Sequence, residues 1–218
     1  MPRGSEERTD QRKNEIINAC EKLYVSKGFQ DISIKDISTE TTFSRPSIYN
    51  YFETKEEIFL ALLTREYEAW AKDLRSIGRT GKKEIRETAE GSEAMADELA
   101  DKIAVTLEKR TVLLKISAMN LYEIEEHSRL ERLVEYKKAF RTSMEAFMQC
   151  ITEGLAGSTQ EKRDAIRYAF FPFMYGIYPY TSPTKKQCEA MKEAAVVYQK
   201  TSVYEITYRF LRQLFQSN

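Results

Sequence analysis

The sequence predicts an all-α protein, and three features carry that expectation. Apolar residues recur every three to four positions along most of the chain, as one face of a helix requires. Gly, Pro, Ser and Thr punctuate these runs at positions suited to helix ends. The stretch Ser33 to Lys55, SIKDISTETTFSRPSIYNYFETK, reads as two short helices, a tight turn between them, and the start of a third. We expect a three-helix head over residues 1–54 and a larger helical body over residues 55–218.

The head begins with a polar segment, Met1 to Arg8, expected to be a disordered arm from which Arg3 and Arg8 could reach a partner. Asp10 to Lys27 then forms a helix with Ile16, Cys20 and Leu23 on one stripe, closed by Gly28 as its C′ residue. Ser33 is an N-cap with Asp36 three residues on, a capping-box spacing. Ile34 and Ile37 share the inner face of that helix. Thr41, Thr42 and Phe43 form the turn. Ser44 caps the next helix, and Pro46 sits in its first turn, where a missing N–H removes no bond. Ile48 and Phe52 pack inward, which leaves Arg45, Pro46, Ser47, Tyr49 and Asn50 outward. Such a surface suits base edges in a major groove. Thr54 caps a long helix. Lys55 stands in its first turn against the helix dipole, where an outside phosphate is a fitting partner.

Residues Thr9 to about Leu63 resemble the DNA-binding domain of the TetR family of transcriptional repressors. Gly28-Phe29, the Ile34–Ile37 helix, Ile48-Tyr49-Asn50-Tyr51-Phe52 and Lys55-Glu56-Glu57-Ile58-Phe59 carry the resemblance. It implies a recognition helix from Arg45 to Tyr51, read by bases through Arg45, Pro46, Ser47, Tyr49 and Asn50. Ser44, Tyr51 and Lys55 would hold the DNA backbone. The family carries glycine where this chain has Thr42. Threonine enters positive φ at a cost, so the turn either takes a different shape or stores strain.

The chain has 34 basic and 34 acidic residues and no net charge at pH 7. Residues 1–55 hold nine of each sign, so DNA binding would rest on where charges point, each acting over roughly 8 Å. The three cysteines form no C-x-x-C pair or disulfide framework, which favours a reducing compartment. No signal-like or membrane-spanning run stands out, and the cytoplasm is the expected location. Catalysis finds no support: the sole histidine is His127, and no phosphate loop, nucleophile elbow or metal-ligand spacing occurs. We expect no enzyme, no cofactor, no catalytic residues and no metal.

In the body, Gly78 to Lys83 reads as a linker and Gly91-Ser92 as a second break. Helices follow from Ala94, from Thr111, from a Ser128 cap and from Ser158, the last strongly aromatic from Tyr168 to Tyr180. Pro172 should kink that helix, and Pro179 and Pro183 should end it. Two more helices follow, about Lys185 to Tyr198 and Ser202 to Gln216. Mixed phenol, phenyl and methionine groups suit an apolar cavity with a few polar contacts. The expected lining is Trp70, Phe140, Met144, Tyr168, Phe171, Tyr175 and Tyr178. The last helix is apolar on two sides, and Tyr204, Tyr208, Leu211 and Phe215 are expected to face a twofold mate, as reading a palindrome requires.

The expected function is sequence-specific repression at a palindromic double-stranded operator by a homodimer, relieved by a small apolar or amphipathic inducer. Ligand in the body would shift the helix beginning at Lys55 and so the spacing of the two recognition helices. The alternative is a helical binding protein or enzyme with a purely structural helix-turn-helix. Burial of Arg45, Tyr49 and Asn50 would favour it.

Overall fold

The computed structural model describes residues 3–79, 89–155 and 157–216. It is all-α, with no strand among the described residues. The helices are α1 (Arg3–Ser26), α2 (Ile34–Thr39), α3 (Arg45–Ile48), α4 (Lys55–Arg79), α5 (Ala89–Glu108), α6 (Thr111–Met119), α7 (Leu121–Glu126), α8 (Leu130–Gly154), α9 (Gln160–Thr181), α10 (Lys185–Glu193) and α11 (Val203–Gln216). A 3-10 turn spans Phe29–Asp31. Two compact units result, one of Met1–Tyr67 with Met119–Phe140, the other of Glu68–Ala118 with Arg141–Asn218. The unit holding the head therefore takes in α7 and the first turns of α8.

In the first unit, Ile16, Cys20, Tyr24, Phe29, Ile37, Ile48, Phe52, Ile58 and Phe59 are all buried. The Tyr24 and Phe29 rings meet Phe59 edge-on at 5.0 and 4.8 Å between centroids, the geometry aromatic quadrupoles favour. Burial pushes the Cys20 thiol far above its ordinary range, so it is an inert core group. The Tyr24 hydroxyl donates to Asn120 Oδ1 at 2.9 Å, and Gln30 donates to the Glu123 carboxylate, so α1 and the 3-10 turn hold α7. Three local expectations differ from the structure. The first helix starts at Arg3, not Asp10. The side chain of Arg3 lies outside the described residues, and Arg8 is an exposed helix residue. Gly28 has φ −73°, so the chain leaves α1 without a left-handed residue. Ser128 donates back to the Ile124 carbonyl at 2.7 Å and so closes α7, with Arg129 between it and α8.

In the second unit, α11 packs on α5 and α9. Trp70, Phe147 and Phe170 are fully buried, with Phe147 and Phe170 stacked at 4.3 Å. The Trp70 indole N–H donates to Thr106 Oγ1 at 3.1 Å, which satisfies its one polar atom. Gly91 and Ser92 lie inside α5, so no break falls there. Gly78 and Arg79 end α4, and residues 80–83 of the expected linker lie outside the described residues. Helix α9 runs through both Pro172 and Pro179 and stops at Thr181. Thr159, not Ser158, caps it by accepting the Lys162 N–H at 3.2 Å. No helix among the described residues is long and apolar enough to cross a membrane.

Candidate nucleic-acid interface

The Ser33–Asp36 capping box forms on both sides, with the Asp36 N–H donating to Ser33 Oγ at 3.2 Å and the Ser33 N–H to Asp36 Oδ2 at 2.9 Å. The Ser33 hydroxyl, which also donates to Asp36 Oδ2, and then the Ser33 N–H hold the Asp36 carboxyl below its ordinary range. The helix ends at Glu40, and the chain turns through Thr41 and Thr42 with no positive φ; among the described non-glycine residues only Ala195 has one. The turn is held from outside, because the Glu15 carboxylate on α1 accepts the Thr42 N–H at 2.6 Å. The threonine at the family's glycine position thus sits in an ordinary conformation.

Ser44 is extended at the N-cap of α3 but makes no capping bond; its hydroxyl pairs with that of Ser47 at 3.0 Å. Pro46 lies in the first turn, as its ring geometry allows. Regular α-helix ends after four residues, and the segment continues through Tyr49, Asn50 and Tyr51 as turns. The Tyr51 and Phe52 N–H groups both bond the Ile48 carbonyl, at 2.9 and 3.1 Å. Ile48 and Phe52 are buried at 0% and 1% exposure. That anchorage leaves Arg45, Pro46, Tyr49 and Asn50 exposed, with Ser47 half-buried. The Arg45 guanidinium donates to the Tyr49 hydroxyl at 3.1 Å and stands 5.8 Å from its ring centroid. Of the residues expected to read bases, all but Ser47 are therefore exposed, and Arg45 and Tyr49 stand side by side.

The expected backbone contacts are less uniform. Ser44 is exposed and Tyr51 half-buried. Tyr51 Oη accepts a bond from Arg12 at 3.1 Å. Lys55 Nζ donates to the Phe29 carbonyl at 3.1 Å and stands 4.2 Å over the Phe29 ring. An ammonium has three donors, so its bond to the head leaves capacity for a phosphate. Nearby acids are occupied: Glu40 pairs with Lys22 at 2.5 Å, and Asp36 faces Lys27 at 3.9 Å. Arg12, which the spacing of residues does not single out, joins the same surface and also covers the Phe43 ring.

The residues expected around a ligand cavity fall in several environments. Trp70 and Phe171 do meet, at 6.4 Å between centroids, inside the close-packed cluster with Phe147 and Phe170. Met144, Tyr175 and Tyr178 are half-buried; burial raises the Tyr178 phenol, against a bond with Ser182 that lowers it. Phe140 belongs to the first unit and packs edge-on against Tyr67 at 5.3 Å. Tyr168 is 72% exposed with Arg167 over its ring, which removes it from any interior lining. A separate open cleft of about 510 Å³ is lined by Glu108, Thr111, Thr181 and Ser182, and by residues 200–203 with Glu205. It shares no residue with the expected cavity.

The residues expected to meet a second copy differ in exposure, with Tyr204 and Tyr208 half-buried. Leu211 and Phe215 are buried at 0% and 4% exposure. Tyr204 and Tyr208 donate to Asp101 and Asp97 of α5 at 2.7 and 2.8 Å. The bond to Asp101 pushes the Tyr204 phenol up to about 12. Tyrosine hydroxyls seek acceptors, and these two find them on their own chain. His127 is an exposed cap residue whose Nδ1 lies 2.8 Å from the Glu123 carbonyl. No group of three metal-ligating side chains occurs among the described residues.

A head that buries Ile48 and Phe52 while exposing Arg45, Tyr49 and Asn50 from one short segment has the form of a helix-turn-helix DNA-binding module, and the chain is a regulator of that class. Residues 16–62 match the bacterial regulatory proteins of the tetR family, and residues 64–214 match the tetracyclin repressor-like C-terminal domain. The chain belongs to the TetR family. It is 30% identical over 105 residues to the uncharacterized HTH-type transcriptional regulator YfiR of Bacillus subtilis (strain 168). That match covers 45% of this chain and 51% of the relative, so the chain spans about half its length. Its fold is similar to the fatty acid degradation regulator FadR from Bacillus halodurans (TM-score 0.61, 14% identity, 95% of each chain). It is also similar to FadR from Bacillus subtilis in complex with stearoyl-CoA (TM-score 0.59, 14% identity, 93% of this chain and 97% of that one).

Proposed function

We propose that this regulator is a repressor that binds a palindromic operator as a homodimer and leaves it when a small apolar or amphipathic molecule enters the body. The observation that carries the DNA-reading part is the division of one short segment into buried Ile48 and Phe52 and exposed Arg45, Tyr49 and Asn50. An Arg–Tyr pair held together on the surface enters a groove with its fork already ordered, so less freedom is lost on docking. Arg45 reads a base, with Pro46, Ser47, Tyr49 and Asn50 beside it; Ser44, Tyr51 and Lys55 hold the backbone. The exposure of these residues speaks against a purely structural helix-turn-helix.

For the second copy, the outer face of α9 is the fitting surface in place of the inward-facing residues of α11. Ala165, Tyr168, Pro172, Gly176, Pro179 and Tyr180 are exposed there, and none carries a charge. The partly exposed Phe173 and Phe210 rings stack beside it at 3.8 Å. Two recognition segments on one face of DNA must lie about 34–36 Å apart, so a shift of α4 on ligand binding would undo simultaneous docking. The half-buried Met144, Tyr175 and Tyr178 are the proposed polar and adaptable contacts of the ligand, next to Phe171 and Trp70. The stearoyl-CoA held by a protein of this fold makes acyl-CoA thioesters the first probes.

Selection of binding sequences from a random duplex library tests the first part. A palindromic consensus is expected, and recovery of random sequences would defeat the repressor reading. Titrating stearoyl-CoA and free fatty acids against the selected duplex then tests release, with Trp70 fluorescence as a second readout. A ligand that weakens operator binding tenfold must itself bind tenfold more weakly to the DNA-bound protein, a coupling of about 1.4 kcal/mol.

A further inference from the structure

The corner where the recognition segment joins α4 is gripped by residues more than seventy positions along the chain, all within the first unit. Glu57 is fully buried. It accepts Arg129 Nε at 2.6 Å and Nη2 at 2.8 Å, and the Glu53 N–H at 2.9 Å. Thr54 Oγ1 donates to the His127 carbonyl at 3.2 Å. One turn into α8, Arg132 donates to the Tyr51 carbonyl at 3.0 Å. Its guanidinium lies 5.6 Å from the Phe52 ring centroid, and a second nitrogen reaches Glu135 at 2.9 Å.

These contacts divide into two kinds. The buried Glu57 carboxylate needs Arg129, since an uncompensated buried charge is strongly destabilising; that pair fastens α4 to the start of α8. Arg132 does something else. The recognition segment is one turn of helix followed by turns, too short to be stable by itself. The last carbonyls of a helical segment lack partners within it, and Tyr51 offers one of them. Arg132 supplies the missing donor, and a cation is the favourable charge at that end. The same tyrosine is held at its hydroxyl by Arg12. Tyr51 is therefore fixed at both its main-chain and side-chain oxygens by arginines from two different helices.

We propose that Arg132 is a positioning residue for DNA reading, which sets the orientation of the Arg45–Asn50 segment by holding the Tyr51 carbonyl. This rests on the DNA-reading assignment made above. Arg132 need not touch DNA to act in this way. Removing its donors should let the end of the segment fray while the apolar anchors Ile48 and Phe52 stay buried.

The test uses Arg132→Met, which keeps an apolar stem beside Phe52 and deletes every donor, with Arg132→Lys as the conservative variant. Amide hydrogen exchange is read at Tyr51 and Phe52, and at Ile37 as an internal control. Affinity is measured for the duplex selected by the wild-type protein and for random-sequence duplex. In Arg132→Met, exchange at Tyr51 and Phe52 should rise about tenfold with Ile37 unchanged. Operator affinity should fall about tenfold with random-sequence affinity unchanged, and Arg132→Lys should recover most of both. Unchanged exchange at Tyr51 and Phe52 with operator affinity within twofold of wild type overturns the proposal. So does equal acceleration at all three amides, which marks a general loss of stability. If Arg132→Met does not fold, Arg132→Gln is read by the same criteria, and failure of that variant to fold also assigns Arg132 to the core and overturns the proposal. A wild-type protein that selects no sequence removes the DNA reading itself, and that outcome is distinguishable because it requires no variant.

Discussion

The Glu15 carboxylate accepts the Thr42 N–H at 2.6 Å, across 27 residues of chain. It holds the turn in an ordinary conformation, without the glycine that the family resemblance implies there. Glu15→Ala should therefore destabilise the head by about 1 kcal/mol, the net contribution of a partly exposed charged hydrogen bond. Thr42→Gly should destabilise as well, by about 0.5–1 kcal/mol, because glycine adds unfolded-state freedom without relieving any strain. Urea denaturation of both variants decides it. A stabilised Thr42→Gly would mean that the threonine is strained after all.

Arg45→Ala should cost about 1–3 kcal/mol of operator affinity and relax preference at one base pair per half-site. Lys55→Ala should weaken all duplexes alike and flatten the salt slope by about one unit per lost phosphate contact. Fluorescence anisotropy with selected and random duplexes separates the two patterns. An equal loss on both duplexes for Arg45→Ala would remove it from the base readers.

Burial pushes the Glu57 carboxyl up, but the bonds from Arg129 and the Glu53 N–H outweigh it and leave the group below the ordinary glutamate range. A depressed carboxylate contributes stability above its unfolded value, about 4.3, and that contribution is lost as pH falls through the lower folded value. Urea midpoints at pH 7 and pH 3 should therefore differ more in the wild type than in Glu57→Gln. Parallel pH dependence in the two proteins would show that Glu57 has no depressed titration.

The two candidate surfaces for a second copy respond differently to charge. Tyr168→Glu, on the exposed face of α9, should give folded monomers by light scattering and circular dichroism. Leu211→Glu buries an unpaired carboxylate and should unfold the second unit, a loss of several kcal/mol. Folded monomers from Leu211→Glu would return the interface to α11.

The head was legible because its signals are local. Ser33 with Asp36, Ile34 with Ile37, and Ile48 with Phe52 lie three or four residues apart, and the structure places each pair as that spacing requires. The Thr54 cap forms too, accepting the Glu57 N–H at 3.2 Å. What decided the rest lies far away in sequence. Both faces of α11 are apolar, and the pattern does not say which is inside. Asp101 and Asp97, 103 and 111 residues upstream of their tyrosines, draw Tyr204 and Tyr208 onto α5. Tyr168 and Phe171 likewise share an aromatic run, yet one is 72% exposed and the other 6%. Arg12, Arg129 and Arg132 gave no signal, because each finds its partner through the fold alone.

The Tyr204–Asp101 and Tyr208–Asp97 bonds bear on how α11 keeps its register. The buried positions of that helix, Val203, Thr207, Leu211 and Phe215, recur every four residues, so the stripe presents nearly the same profile if the helix slides by one turn, about 5.4 Å. Packing alone distinguishes adjacent registers poorly. Two phenols matched to two carboxylates help to choose among registers, since a slip of one turn breaks both bonds as they stand. The polar pair serves as a detent, favouring one alignment of two helices whose apolar contact is otherwise non-directional.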